Sequence, residues 1–201
     1  MSNISLEAFT PDMIDDVSML LARAFVSNPL HVAAFGANQQ RKNEAFFRTI
    51  IAFMKGPKYV AIMEKQIVGF NHWVHSPACQ LAGIDKVKMF PHMLSGYGLI
   101  ATFRVASWAS TWSKHDPDNS HSHLGPIGVD PSAQGRGIGS LLMKPYCDEL
   151  DNLGMEGYLE TDRPENVPFY NRYGFITTQE LPILGVTNFL MRREKQADAS
   201  P

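Results

Sequence analysis

The chain has 201 residues, a formal net charge of -2 at pH 7 and 44% hydrophobic residues. That length suits one folded unit with a substantial core, and the near-neutral balance of scattered basic residues argues against a nucleic-acid partner. Two cysteines exclude a disulfide scaffold. The absence of an apolar span or leader-like segment makes a cytoplasmic protein without a membrane partner the expectation.

Residues 4–9 alternate well enough for a first strand. Thr10-Pro11 is a helix entrance, since threonine can cap and proline fits the first turn. Val17, Leu20, Leu21, Ala24 and Phe25 share one face of a helix expected to end before Pro29. A second amphipathic helix is predicted over residues 41–54, with Phe46, Phe47, Ile50, Ile51 and Met54 inward and Gly56-Pro57 ending it. Residues 59–63 and 67–74 read as an antiparallel hairpin around Glu64-Lys-Gln66. Residues 77–120 suggest helices broken near Gly96 and Gly98, an insert placed to cover a substrate. Strands near residues 124–129, 158–161, 175–179 and 187–191 follow, with helices after the first two. Pro145 should kink or shorten the helix it sits in, and Gly154 should close it. The whole is expected to form one unit over residues 1–194, with 195–201 a disordered tail. The element order is that of a mixed α/β sheet with helices on both faces.

The stretch from Ile127 to Met143 reads as a strand, a glycine-crowded turn and a helix start. The first amides of such a helix lack partners one turn earlier, and the macrodipole favours an anion there. Gly135, Gly137 and Gly139 remove the Cβ atoms that would keep an oxygen away, and Arg136 could add a charged donor or lie in solvent. Two common phosphate loops fail here. Ser140 stands where the last glycine of a dinucleotide fingerprint would fall, and no Gly-Lys-Ser/Thr triplet occurs.

Gln134-Gly-Arg-Gly-Ile-Gly139 resembles the acetyl-coenzyme A pyrophosphate loop of the GNAT N-acetyltransferase superfamily. The block Leu159-Glu-Thr-Asp-Arg-Pro-Glu-Asn-Val-Pro-Phe-Tyr-Asn-Arg-Tyr-Gly-Phe175 resembles its C-terminal asparagine, phenylalanine-tyrosine and glycine-phenylalanine pattern, in wording similar to the branch containing puromycin N-acetyltransferase. The resemblance covers residues 121–180 and implies a mostly antiparallel sheet splayed at the cofactor site. It also implies acetyl-CoA as cofactor, a pantetheine arm along Ile127, Gly128 and Val129, and a diphosphate on Gln134, Gly135, Arg136, Gly137, Ile138, Gly139 and Ser140. Asn166 would contact the arm. Tyr170 would protonate the departing thiolate, with Tyr173 a weaker rival in support.

Acetyl transfer to an amine also needs a base. Glu160 has the strand parity to face the cleft, as an acceptor of the amine proton or an electrostatic attractant. His121 and His123 precede the cofactor strand and are further candidates, His123 being equally readable as a strand-end histidine. Tyr158 and Asp162 share Glu160's parity without an assigned role. The histidines make no metal set, Cys79 and Cys147 being remote from them in sequence, and no flavin is expected. His31, His92 and His115 read as solvent-facing or capping residues. The expected activity is acetyl transfer from acetyl-CoA to the primary amine of a small molecule. A protein or peptide acetyltransferase and a non-catalytic acyl-CoA-binding domain are the alternatives. A homodimer stays open, with no interface motif to support it.

Overall fold

The computed structural model describes residues 4–80 and 82–195; of the expected tail, residues 196–201 lie outside them. Seven strands form one sheet in the order β1-β2-β3-β4-β5-β7-β6. They are β1 (Ile4–Ala8), β2 (Lys58–Met63), β3 (Gln66–His75), β4 (His121–Val129), β5 (Glu156–Thr161), β6 (Ile176–Ile183) and β7 (Val186–Arg193). Every pairing is antiparallel except β4 with β5. The predicted hairpin is β2–β3, and its two turn residues, Glu64 and Lys65, have φ of 51° and 64°. Two-residue hairpin turns need that left-handed geometry to match strand twist.

Helices cover both faces. On one lie α1 (Ile14–Phe25), α2 (Pro29–Phe35), α3 (Gln40–Phe53) and α4 (Gly83–His115); on the other lie α5 (Ile138–Leu153) and the short α6 (Val167–Asn171). Strand alternation sorts the contacts. A Cβ on Gly128 would stand 2.7 Å from Leu21 of α1, whereas one on Gly69 would stand 2.9 Å from Ile138 and Leu142 of α5. Val17, Leu20 and Leu21 are fully buried, each worth roughly 1.5–3 kcal/mol over exposure.

α1 ends at Phe25, before Pro29 as expected, and Pro29 opens the further helix α2, where its fixed φ suits the first helical position. Three expectations change. Thr10 makes no side-chain cap, and a single 3₁₀ turn, Pro11–Met13, precedes α1. Pro145 neither ends α5 nor displaces it: Leu142, Met143, Tyr146 and Leu150 are all buried, and that packing outweighs a proline cost of about 3 kcal/mol. His31 is buried in a ring cluster, stacked on Phe47 and edge-on to Trp108.

The 77–120 segment is helical over Gly83–His115, as its apolar residues suggested. α4 contains Pro91 and breaks at Gly98, whose φ of 82° and ψ of 170° a side chain would avoid. Gly96 lets α4 approach α3 so closely that a Cβ would stand 2.8 Å from that of Ala45. Among the described residues no helix is long and apolar enough to cross a membrane.

Candidate active site

β4 and β5 pair only from His121 to His123 against Glu156 to Tyr158. β5 continues beside β7, but beyond His123 no pairing joins β4 to β5, so the two strands splay. A bulge sits at the same point: Asn71 and Trp73 of β3 pair with Ile127 and Leu124, which places Gly125 and Pro126 opposite His72 alone. The ring nitrogens of His72 lie 2.8 and 2.6 Å from the carbonyls of Gly125 and Lys55, clasping the bulge from behind.

Asp130 fixes the passage from β4 to the glycine loop. One oxygen accepts from the backbone and hydroxyl of Ser132, at 3.0 and 2.6 Å, and the other from Nε and Nη2 of Arg23, at 2.8 and 2.6 Å. Burial opposes its charge, but Ser132 and Arg23 prevail and hold its carboxyl below the usual range. Gly135 and Gly137 then take φ of 76° and 81°, and nothing stands within 4 Å of where a Cβ would be. Gly137 caps α5, whose 16 residues aim their first amides and positive dipole end into that open cradle. These backbone features fit a diphosphate. Ile138 can contribute only its amide, because its side chain is buried against Gly69.

One continuous cavity of about 1290 Å³ runs from this cradle through the splay to a chamber lined by Phe46, Met54, Met89, Tyr97, Trp108 and Trp112. It brings together Tyr170, Glu160 and His123 with Ile127, Gly128, Val129, Gln134, Gly135, Gly137, Ile138, Gly139, Ser140 and Asn166. Arg136 and Tyr173 do not line it. Arg136 is exposed, with Nη1 3.8 Å from Met63 Sδ, and Tyr173 lies against Phe169 with ring centroids 5.3 Å apart.

The polar centre is a chain of charges. His123 Nε2 donates to Glu160 Oε2 at 2.8 Å, and His123 Nδ1 lies 3.5 Å from Asp116 Oδ1. Burial alone would lower the His123 pKa, but these carboxylates push it up to about 10. His123 is therefore an imidazolium at neutral pH. The Glu160 side chain is 2% exposed, and among the described residues its Oε1 has no hydrogen-bond partner. Tyr170 is 7% exposed, and among the described residues its hydroxyl makes no hydrogen bond. Burial, then the Asp162 carboxylate, raises the phenol's pKa and keeps it protonated.

Three participants were not assigned from sequence. Asp116 gathers His121, His123, Cys79 and Gln80 around one carboxylate. Burial opposes its ionisation, yet those four hydrogen bonds hold it far below the ordinary range. Asp162 accepts from Leu30 N at 2.7 Å and Asn28 Nδ2 at 3.3 Å, tying α2 to the end of β5; its shared parity with Glu160 was the available signal. His31 lines the cavity with its proton fixed on Nδ1. Asn43 gives its amide hydrogen to Gln39, so its Oδ1 must accept from the ring at 2.6 Å. Burial brings the His31 pKa down to about 4. Cys79 is also not remote: its thiol lies 3.1 Å from Asp116 Oδ2 and 3.7 Å from His121 Nε2.

A family model described as acetyltransferase (GNAT) family matches residues 35–175, a span holding the bulge, the cradle and the polar centre. The chain belongs to this family. This GNAT protein is an acetyl-CoA-dependent acetyltransferase, and its fold carries the capacity to bind acetyl-CoA. It is similar along its whole length to a structure described as histone acetyltransferase HPA2 and related acetyltransferase from Corynebacterium glutamicum (20% identity, 100% of each chain, TM-score 0.75). It is also similar to a Drosophila melanogaster polyamine N-acetyltransferase (14% identity, 96% of this chain and 100% of that one, TM-score 0.67). At those identities the likeness is one of fold. A stretch of 52 residues is 44% identical to mycothiol acetyltransferase of Mycobacteroides abscessus, covering 24% of this chain and 18% of that protein.

Proposed function

We propose that this GNAT protein moves the acetyl group of acetyl-CoA to the primary amine of a small molecule, by direct attack with both substrates bound. Acetyl-CoA supplies the activated thioester when bound. Gly135, Gly137 and the first amides of α5 would hold its diphosphate, with Gln134, Gly139 and Ser140 alongside. The edge of β4 left unpaired from Ile127 to Val129 would receive the arm, with Asn166 beside it.

Glu160 Oε1 is the group that takes the amine proton, directly or through water. His123, held as a cation on Glu160's other oxygen, orients the carboxylate. Tyr170 keeps its proton until sulfur departs, then gives it up from a hydroxyl that no group among the described residues competes for. The observation that carries this reading is the unpartnered oxygen of Glu160 in the same cavity as the free hydroxyl of Tyr170.

The segment 77–120 acts as the cover of the acceptor chamber through α4, whose Met89, Tyr97, Trp108 and Trp112 line it. That lining favours a compact amine with an apolar body over an extended peptide. The finer likeness to the puromycin acetyltransferase branch rests on the 159–175 block. The test is coenzyme A release from acetyl-CoA with a panel of apolar primary amines and short peptides. Release that depends on a small amine supports the proposal. Turnover with peptides alone, or cofactor binding without turnover on any acceptor, overturns it.

A further inference from the structure

The charge chain continues past the atoms the reaction uses. Cys79 Sγ, Asp116 and His121 Nε2 converge at the cavity wall, with all three donor atoms within 4.8 Å of one another. We propose that Cys79, Asp116 and His121 form a binding site for a thiophilic divalent cation such as Zn²⁺.

The spacing agrees with that chemistry. Zinc bonds of about 2.3 Å to sulfur and about 2.0 Å to nitrogen or oxygen, at tetrahedral angles, set donors roughly 3.3–3.5 Å apart. The nearest separations here are 3.1 Å from sulfur to Asp116 Oδ2, 3.2 Å from Asp116 Oδ1 to His121 Nε2, and 3.7 Å from sulfur to that nitrogen. The two carboxylate distances fall on different oxygens, so a cation would take both oxygens together or one of them after the carboxylate turns. Thiolate, imidazole and carboxylate together select a borderline-soft transition metal over magnesium or calcium.

The surrounding shell is also that of a ligand set. His121 Nδ1 lies 2.8 Å from the Asn119 carbonyl, which can only accept, so Nδ1 keeps its proton, and Nε2, which donates to Asp116 Oδ1, is the atom a cation would take over. Gln80 Nε2 donates to Asp116 Oδ2 at 2.7 Å and fixes the carboxylate. His121 is 1% exposed, whereas Cys79 and Asp116 line the cavity, which supplies an entry path. Binding would release two protons to solvent, one from the thiol and one from His121 Nε2. Three protein ligands leave a fourth position for water or another donor.

The site also touches the reaction. Asp116 Oδ1 is 3.5 Å from His123 Nδ1, so a cation that takes this carboxylate draws it away from the histidine that orients Glu160. Turnover should then fall as the site fills, a consequence that rests on the proposed function.

The deciding experiment titrates metal-free full-length protein with Co²⁺ and follows the thiolate-to-cobalt charge-transfer absorption, then measures Zn²⁺ affinity by chelator competition. One equivalent should saturate the band. Cys79→Ser should abolish it, Cys147→Ser should retain it, and Gln80→Leu should weaken Zn²⁺ binding about 10- to 100-fold. Near-ultraviolet circular dichroism checks that each variant is folded. Absence of the band in the wild type, or a band that survives in folded Cys79→Ser, overturns the site. A cobalt band without any loss of acetyl transfer leaves the metal site standing and overturns only its effect on Glu160.

Discussion

Tyr170→Phe separates catalysis from folding because of where the hydroxyl sits. The ring is held by Phe169 and Phe175, with centroids 5.3 and 6.4 Å away, and neither contact needs the oxygen. Among the described residues the hydroxyl has no partner, so its removal strands no buried donor or acceptor there. Stability should change by no more than about 0.5 kcal/mol. The transferring sulfur would lose its positioned acid, and general acid catalysis contributes about 10²–10⁴-fold, equivalent to about 2.7–5.4 kcal/mol of barrier. The two effects differ by a factor of five or more. The assay is steady-state coenzyme A release at saturating acetyl-CoA and amine, beside a thermal melt and calorimetry with coenzyme A. The expected variant melts and binds cofactor as the wild type does while kcat drops at least 100-fold. Wild-type kcat in Tyr170→Phe, or a rate loss matched by an equal loss of stability, would refute the acid assignment.

Glu160→Gln should lower the amine-dependent rate by about 10²–10³-fold and leave acetyl-CoA affinity within about twofold; an equal loss of cofactor binding would show a structural role. Asp130→Ala removes the Ser132 cap and the Arg23 pair, so the melt should show a loss of about 1–2 kcal/mol, with weaker coenzyme A binding by calorimetry. His31 gives a pH signature. Its folded pKa of about 4 lies below the unfolded value of 6.5, so its stabilisation is complete above pH 6.5 and is lost as pH falls toward 4. Wild type should lose up to about 3 kcal/mol from this group across that window. In denaturant titrations at several pH values His31→Leu should have a correspondingly flatter acid limb, and an unchanged slope would contradict a buried neutral imidazole.

The parts legible in sequence are those whose signal is local. Glycines at 135, 137 and 139 beside an apolar strand and an apolar helical stripe specify the cradle without reference to distant residues. Alternation on β5 was enough to aim Glu160 and Tyr158 at the same face. The polar centre is different, because its geometry comes from long-range pairing. Asp116 meets Cys79 across 37 positions and Arg23 meets Asp130 across 107, and neither carries a local pattern. His31 reads as a surface histidine in the sequence because α2 is seven residues long, too short for a periodic stripe. Pro145 misled for the opposite reason: local propensity was clear, and the buried side of α5 overrode it.

The most direct measurement is isothermal titration of the purified full-length chain with coenzyme A and with its fragment lacking the diphosphate, pantetheine. If backbone amides at the start of α5 grip the diphosphate, coenzyme A should bind with one site per chain and pantetheine at least 100-fold more weakly. Equal affinity for both, or no heat with coenzyme A at millimolar concentration, would contradict the cradle on which the proposed chemistry depends.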